Sequence, residues 1–296
     1  NINFKELANK YKTPYYVYDF DYITSQYNEL KDAFRARKSL VAYAVKANSN
    51  LSVIKHLANL GAGADCVSIG EVKRALKVGI APYKIIFSGV GKIDDEIREA
   101  LNLDILMINV ESDAELNRVE LIAKELGKTA RISIRINPNI DPLTHPYIST
   151  GLHENKFGVD IDTAKRMYIQ CKNSENLEPV GMHCHIGSQL TQLQPIKESV
   201  KIITDLVRNL KAIKIELSFI EAVASFGVTS AQELEMRKAS NSINGVSFAE
   251  SCLKIKRFIA DGGFGSVEES VAVGIVPSKD VASGLIHVLT NALSIS

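Results

Sequence analysis

Lys46 closes an apolar run, Tyr43-Ala44-Val45-Lys46-Ala47-Asn48, where an amine can be held at the end of a strand. A lysine amine is a strong nucleophile toward carbonyls once deprotonated, and burial, which disfavours the ammonium, would free it. The ordinary alternative is a solvated surface lysine. A second group stands in Gly181-Met182-His183-Cys184-His185-Ile186-Gly187-Ser188-Gln189. Strand alternation puts His183 and His185 on one face. As a metal pair they lack a third ligand nearby. As a ring-stacking turn that touches an anion they fit better, because Gly187 lets backbone approach and Ser188 offers a hydroxyl and an N–H. A plain polar rim is the third possibility. In Arg131-Ile132-Ser133-Ile134-Arg135-Ile136-Asn137 the four polar residues share a face, and an inward arginine needs an anionic partner. Finally, Phe258-Ile259-Ala260-Asp261-Gly262-Gly263-Phe264-Gly265 reads as a strand, a glycine turn and then a helix over Ser266–Val273. Helix N-terminal N–H groups suit a phosphate; a plain strand–helix turn has the same pattern.

These residues must be positioned by short apolar runs alternating with amphipathic stretches. Strands are expected at Leu40–Ala44, Gly63–Cys66, Lys84–Phe87, Ile105–Val110, Ala130–Ile136, Val180–His185 and Lys214–Ile220, with an eighth candidate at Ile255–Ala260. An additional β-branched and aromatic run spans Tyr16–Phe20. Helices are expected at Ile23–Arg37 with Asp21 as N-cap, Leu51–Leu60, Ile69–Val78, Ile93–Leu101, Asp113–Leu126 stopping at Gly127, Ile161–Cys171 and Gln194–Leu210. Such alternation implies parallel βαβ units. Eight of them close a (β/α)8 TIM-type barrel, whose active sites lie at the C-terminal ends of the strands. An open doubly wound sheet is the structural rival. The barrel is assigned to residues 1–275 and a C-terminal helical segment to 276–296, with an amphipathic helix near Val281–Leu293. The long stretch Pro138–Val159 is expected to be a functional loop.

Bulk composition narrows the partners. The 296 residues carry 35 basic and 34 acidic side chains, a net charge of +1. No global field draws nucleic acid or an anionic membrane. No apolar run is long enough to span a bilayer, and no signal-peptide pattern opens the chain. Cys66, Cys171, Cys184 and Cys252 are scattered without zinc spacing, as expected of reduced thiols in a cytoplasmic protein.

Seven motifs occur in order: Tyr43–Asn48, Gly63-Ala-Asp65-Cys-Val-Ser68-Ile-Gly-Glu71, Phe87-Ser-Gly-Val-Gly-Lys92, Asn109-Val-Glu-Ser112, Thr144-His-Pro-Tyr-Ile-Ser-Thr-Gly151, Lys156-Phe-Gly158 and His183–Gln189. In this order they resemble the alanine-racemase-fold decarboxylases that use pyridoxal 5'-phosphate (PLP), and among these the diaminopimelate decarboxylases, over residues 13–220. The resemblance implies that Lys46 forms the Schiff base with PLP and that His185 lies against the ring face. It implies that Asp65 and Arg135 form a polar network behind the ring and that Ser188 contacts the phosphate. Glu71 matches a motif without an assigned role. The implied reaction is decarboxylation of a small amino-acid substrate, meso-diaminopimelate, to L-lysine.

From residue 221 the sequence departs from the family. Glu221-Ala-Val-Ala-Ser-Phe226 stands where the family has an Asp-x-Gly-Gly-Gly phosphate turn. Asp261-Gly262-Gly263 resembles that turn, displaced by about forty residues. If Ile255–Ala260 is the eighth strand, Asp261 instead occupies the place of the carboxylate that pairs with the pyridine nitrogen. The family's C-terminal β-domain motif, Cys-Glu-Ser, has no counterpart, and in the family that domain completes the site across a homodimer. Two further readings therefore stand beside the enzyme: a non-catalytic PLP-binding barrel, and an inactive or truncated family member.

Overall fold

Strand and helix alternate as expected in the computed structural model, which describes residues 3–11, 14–35, 38–140, 157–185, 194–223 and 285–291. Seven strands pair in parallel and in chain order: β1 (Ser39–Ala44), β2 (Gly63–Cys66), β3 (Ile85–Phe87), β4 (Met107–Val110), β5 (Ala130–Ile136), β6 (Leu177–His185) and β7 (Phe219–Val223). An eighth, β8 (Leu285–Asn291), runs antiparallel to both β7 and β1 and closes the sheet into a barrel. Closure excludes the open doubly wound sheet.

The tail corrects one expectation. A strand occupies Leu285–Asn291, inside the stretch Val281–Leu293 read as a helix. The run Leu285-Ile-His-Val-Leu-Thr-Asn291 is rich in β-branched residues, which suit a pleated surface. The edges of β1 and β7 offered two rows of backbone groups that needed partners, and one inserted strand satisfies both. The expected strand Ile255–Ala260 and helix Ser266–Val273 lie outside the described residues.

The helices between the parallel strands are α1 (Phe4–Tyr11) and α2 (Phe20–Ala33) before β1, then α3 (Leu51–Leu60), α4 (Ile69–Lys77), α5 (Asp94–Asn102), α6 (Asp113–Glu125), α7 (Ile161–Asn173) and α8 (Gln194–Ala212). Four of those after β1 start on a side-chain cap delivered by the preceding loop. Asn50 accepts from Ser52 N–H, Ser68 from Glu71, Ser112 from Glu115, and Asp160 from Asp162 and Thr163. Each such cap contributes about 1 kcal/mol and fixes where the loop stops.

Helix α2 starts at Phe20, with Asp19 rather than Asp21 as its cap, because the Asp19 carboxylate accepts from Tyr22 N–H at 3.0 Å. Asp21 then lies in the first turn, where a negative charge opposes the helix dipole. The run Tyr16–Phe20 forms no strand; its residues lead into that helix. Strand β7 begins at Phe219, later than expected, since Lys214 takes a left-handed turn (φ 61°) as the chain leaves α8. It continues through Glu221 to Val223, past the point where the family pattern breaks off.

On β5 the two faces of the sheet separate cleanly. Ile132, Ile134 and Ile136 are 0–1% exposed and face the helices. Ser133 is also fully buried but shares the other face with Arg135, toward the lumen. Gly63 marks the tight lower end: a Cβ there would sit 2.4 Å from the Lys84 carbonyl oxygen. Among the described residues, no helix is long and apolar enough to cross a membrane.

Candidate active site

A string of hydrogen bonds joins strands that are not neighbours in the sheet, so it must cross the lumen. Ser88, just past β3, donates through its hydroxyl to Asp65 of β2. Asn109 of β4 donates through Nδ2 to Ser88 Oγ at 2.9 Å and to Glu221 Oε2 of β7 at 2.7 Å. His183 Nδ1 of β6 lies 2.9 Å from the same Glu221 oxygen. Toward an ionised carboxylate, which only accepts, His183 Nδ1 would be the donor. Asp65, Asn109, His183 and Glu221 are all at most 4% exposed. Charges so deeply buried persist only when paired, and here each has a partner from another strand. Two polar atoms of the lumen wall, Asn109 Oδ1 and Ser133 Oγ, are buried without a hydrogen-bond partner among the described residues.

Above this floor is the C-terminal end of the parallel strands. Lys46 lies in a 3₁₀ turn, Val45–Ala47, directly after β1. It is exposed rather than buried as expected. Glu71, in the first turn of α4, accepts from Val67 N–H at 2.8 Å. Burial raises the Glu71 carboxyl above its ordinary range; the Val67 N–H works against this, Asp65 adds to it, and Lys46 lowers it. Glu71 therefore lies in the field of both Asp65 and the lysine amine. His185, half-buried, ends β6 two residues above His183 and on the same face.

Arg135 has its anionic partner. Its Nη1 donates to both Glu111 carboxylate oxygens at 2.8 Å, with side-chain exposures of 15% and 5%. Its guanidinium also lies 5.2 Å from the centroid of the Phe157 ring, a cation–π contact. Phe157, Gly158 and Val159 bring the chain back beside β5. Val159 N–H donates to Arg135 O at 2.9 Å, and Asn137 N–H to Val159 O at 2.8 Å. Gly158 is required here: its φ is 84°, and a Cβ would approach Arg135 O to 2.7 Å.

The structure thus brings Lys46, Asp65, Arg135 and His185 to one end of one barrel. Asp65 is held by Ser88 and Arg135 by Glu111, in two adjacent networks that meet on β4. Arg131 does a different job, bonding Asp104 and the carbonyls of Leu106 and Ile105 at the start of β5. Ser188, Asp261, Gly262 and Gly263 lie outside the described residues. Sequence reasoning assigned no role to Ser88, Asn109, Glu111 or Glu221. Their signal was available: each is a polar residue at inward parity in, or just past, an otherwise apolar strand. Among the described residues no cluster of three or more metal-ligating side chains forms, which leaves His183 to the carboxylate. Burial pushes the Cys171 and Cys184 thiols up to about 12 and Cys66 well above its ordinary value, so these three are inert packing groups.

Comparison with known proteins adds the following. The model of the pyridoxal-dependent decarboxylase family, pyridoxal binding domain, matches residues 20–283. A diaminopimelate decarboxylase of Campylobacter jejuni is 59% identical over 227 residues, covering 77% of this chain and 56% of that protein. One from Helicobacter pylori is 51% identical over 268 residues, covering 88% of this chain and 66% of its own length. The chain thus spans between a half and two thirds of these relatives. Among solved structures, the H. pylori diaminopimelate decarboxylase complexed with L-lysine superposes with a TM-score of 0.72 at 49% identity, covering 86% of this chain and 63% of that one. The enzyme from M. jannaschii, also with L-lysine, gives 0.69 at 27% identity, covering 97% and 83%.

Proposed function

The chain belongs to the pyridoxal-dependent decarboxylase family, and on that premise we propose that it is the cofactor-binding barrel of a diaminopimelate decarboxylase, which converts meso-diaminopimelate to L-lysine and carbon dioxide. The observation that carries the reading is the lysine at the end of β1, on the rim of a closed lumen whose floor is a string of hydrogen-bonded buried polar groups.

The residues suit PLP, an aromatic aldehyde with a phosphate tail. Lys46 offers the amine for the aldehyde, His185 an imidazole for the ring face, and the lumen two buried polar atoms with unused hydrogen-bonding capacity. When bound, PLP supplies the electron sink for the pair left at Cα as carbon dioxide departs. Lys46 anchors the cofactor and afterwards returns a proton to Cα. Glu71 lies in the electrostatic field of the Lys46 amine. His185 covers one face and excludes water. Arg135, fixed and charge-compensated by Glu111, is the proposed member of the polar network behind the ring. Ser188 and the backbone of the Asp261-Gly262-Gly263 turn are the proposed phosphate contacts, with pairing of the Asp261 carboxylate to the pyridine nitrogen as the alternative. We assign the protein to the cytoplasm, a reducing compartment that suits its buried free thiols.

Purified protein mixed with PLP should develop the absorption band of lysine-linked pyridoxal, and Lys46→Ala should not. Carbon dioxide release from diaminopimelate should accompany the band. A band without release would leave a cofactor-binding barrel and remove the enzyme; no uptake at all would remove both.

A further inference from the structure

Two motifs, Phe87–Lys92 and Asn109–Ser112, contain residues for which the proposed chemistry has no direct use. Lys92 and Glu115 form an ion pair at 2.7 Å, with side-chain exposures of 1% and 13%. Burying such a pair costs desolvation that an apolar pair of similar volume would avoid, so stability alone is a poor reason to have one here. Its geometry suggests another. Lys92 Nζ donates to Glu115 Oε1, to Asn109 O at 2.7 Å and to Gly89 O, which uses all three ammonium hydrogens. The other Glu115 oxygen accepts from Glu111 N–H at 2.8 Å. Glu115 is itself set by the Ser112 cap of α6, at 3.1 Å.

The pair therefore grips both sides of Val110: the carbonyl of residue 109 and the N–H of residue 111. Those two residues carry the arms of the site. Asn109 reaches into the lumen to Ser88 and Glu221, and Glu111 reaches to Arg135. We infer that Lys92 and Glu115 are positioning residues for the proposed cofactor site, setting the Asn109 amide and the Glu111–Arg135 pair together through the end of β4 without touching the site themselves. The inference rests on the cofactor reading above. Hydrophobic replacements could fill the same volume, but they could not hold a carbonyl and an N–H two residues apart.

The chain has no tryptophan, so Phe157→Trp supplies one reporter beside Arg135. In that background three changes are compared: Lys92→Met, Glu115→Gln, and Ile134→Ala on the outer face of β5 as a control for general destabilisation. Indole emission and iodide quenching are read without PLP; PLP uptake is read by absorbance titration. Lys92→Met should alter the indole signal and weaken PLP uptake roughly tenfold, with Glu115→Gln, nearly isosteric and still able to accept, moving the same way by less. Ile134→Ala should lower the melting temperature and leave both readouts unchanged. If Lys92→Met and Glu115→Gln lower only the melting temperature, the two residues are structural and the inference is overturned. Failure of the parent protein to take up PLP, with the indole response to Lys92→Met intact, would sink the cofactor reading but keep the clamp on Arg135.

Discussion

The outer and inner faces of the same sheet are built on different rules, and β5 shows both within seven residues. Outward, Ile132, Ile134 and Ile136 meet the helices with 0–1% exposure and no directional demands. Inward, polar side chains meet in directional contacts: Arg135 with Glu111 here, and Asp65 with Ser88, Asn109 with Glu221 and His183 with Glu221 on the strands around it. Dispersion and the hydrophobic effect tolerate substitutions that keep volume. A buried hydrogen-bond network does not, because loss of one partner strands the others in a low dielectric. One face supplies stability, and the other spends part of it holding polar groups where chemistry needs them.

The comparison is sharpened most by Ile134→Ala. Deleting a large buried aliphatic side chain should cost about 3 kcal/mol, by denaturant titration, through lost transfer energy and a residual cavity. PLP uptake per folded molecule should not change. Asn109→Ala comes next. It removes the amide that joins Ser88 to Glu221 and should cost about 2 kcal/mol, mostly from the stranded Glu221 and Ser88. Here uptake per folded molecule should fall as well. If both variants lost stability and binding in the same ratio, the division of labour between the faces would be wrong.

How much of this was legible beforehand follows the same division. The outer face was nearly all readable, because apolar periodicity is local: Ala130–Ile136 matches β5 to the residue, and Gly127 ends α6 with a positive φ of 62°. Lys46, Asp65, Arg135 and His185 were found through motif order; Lys46 and His185 stand at the strand ends, with Asp65 in the buried string beneath them. The inner partnerships were not readable, because who faces whom across a lumen depends on closure and stagger. Glu221 shows the limit. In the sequence it marks the point where the family pattern fails; in the barrel it is a wholly buried acceptor for Asn109 and His183. Strand β8 shows another: its own pattern admits a helix, and the open edges of β1 and β7 decide for a strand.

Glu71 offers the smallest and most selective test, since it lies in the fields of both Asp65 and the lysine. Burial is the main cause of its raised pKa; Asp65 adds to it, while the Val67 N–H, Lys46 and Arg74 oppose it. The folded state therefore holds the Glu71 proton more tightly than the unfolded chain does. Its contribution to stability is fully present below the ordinary glutamate value, declines as pH rises through the raised folded value, and stays lost above it. Glutamine cannot ionise but can still accept from Val67 N–H. The stability of Glu71→Gln relative to the parent should thus rise with pH across that window, from about pH 4 upward, and then level off. Thermal melts of both proteins in parallel buffers give this difference directly. A difference that is flat, or that falls with pH, would mean that Lys46 rather than burial dominates at Glu71, and the rim of the barrel would then behave as a solvated salt bridge instead of an extension of the dry interior.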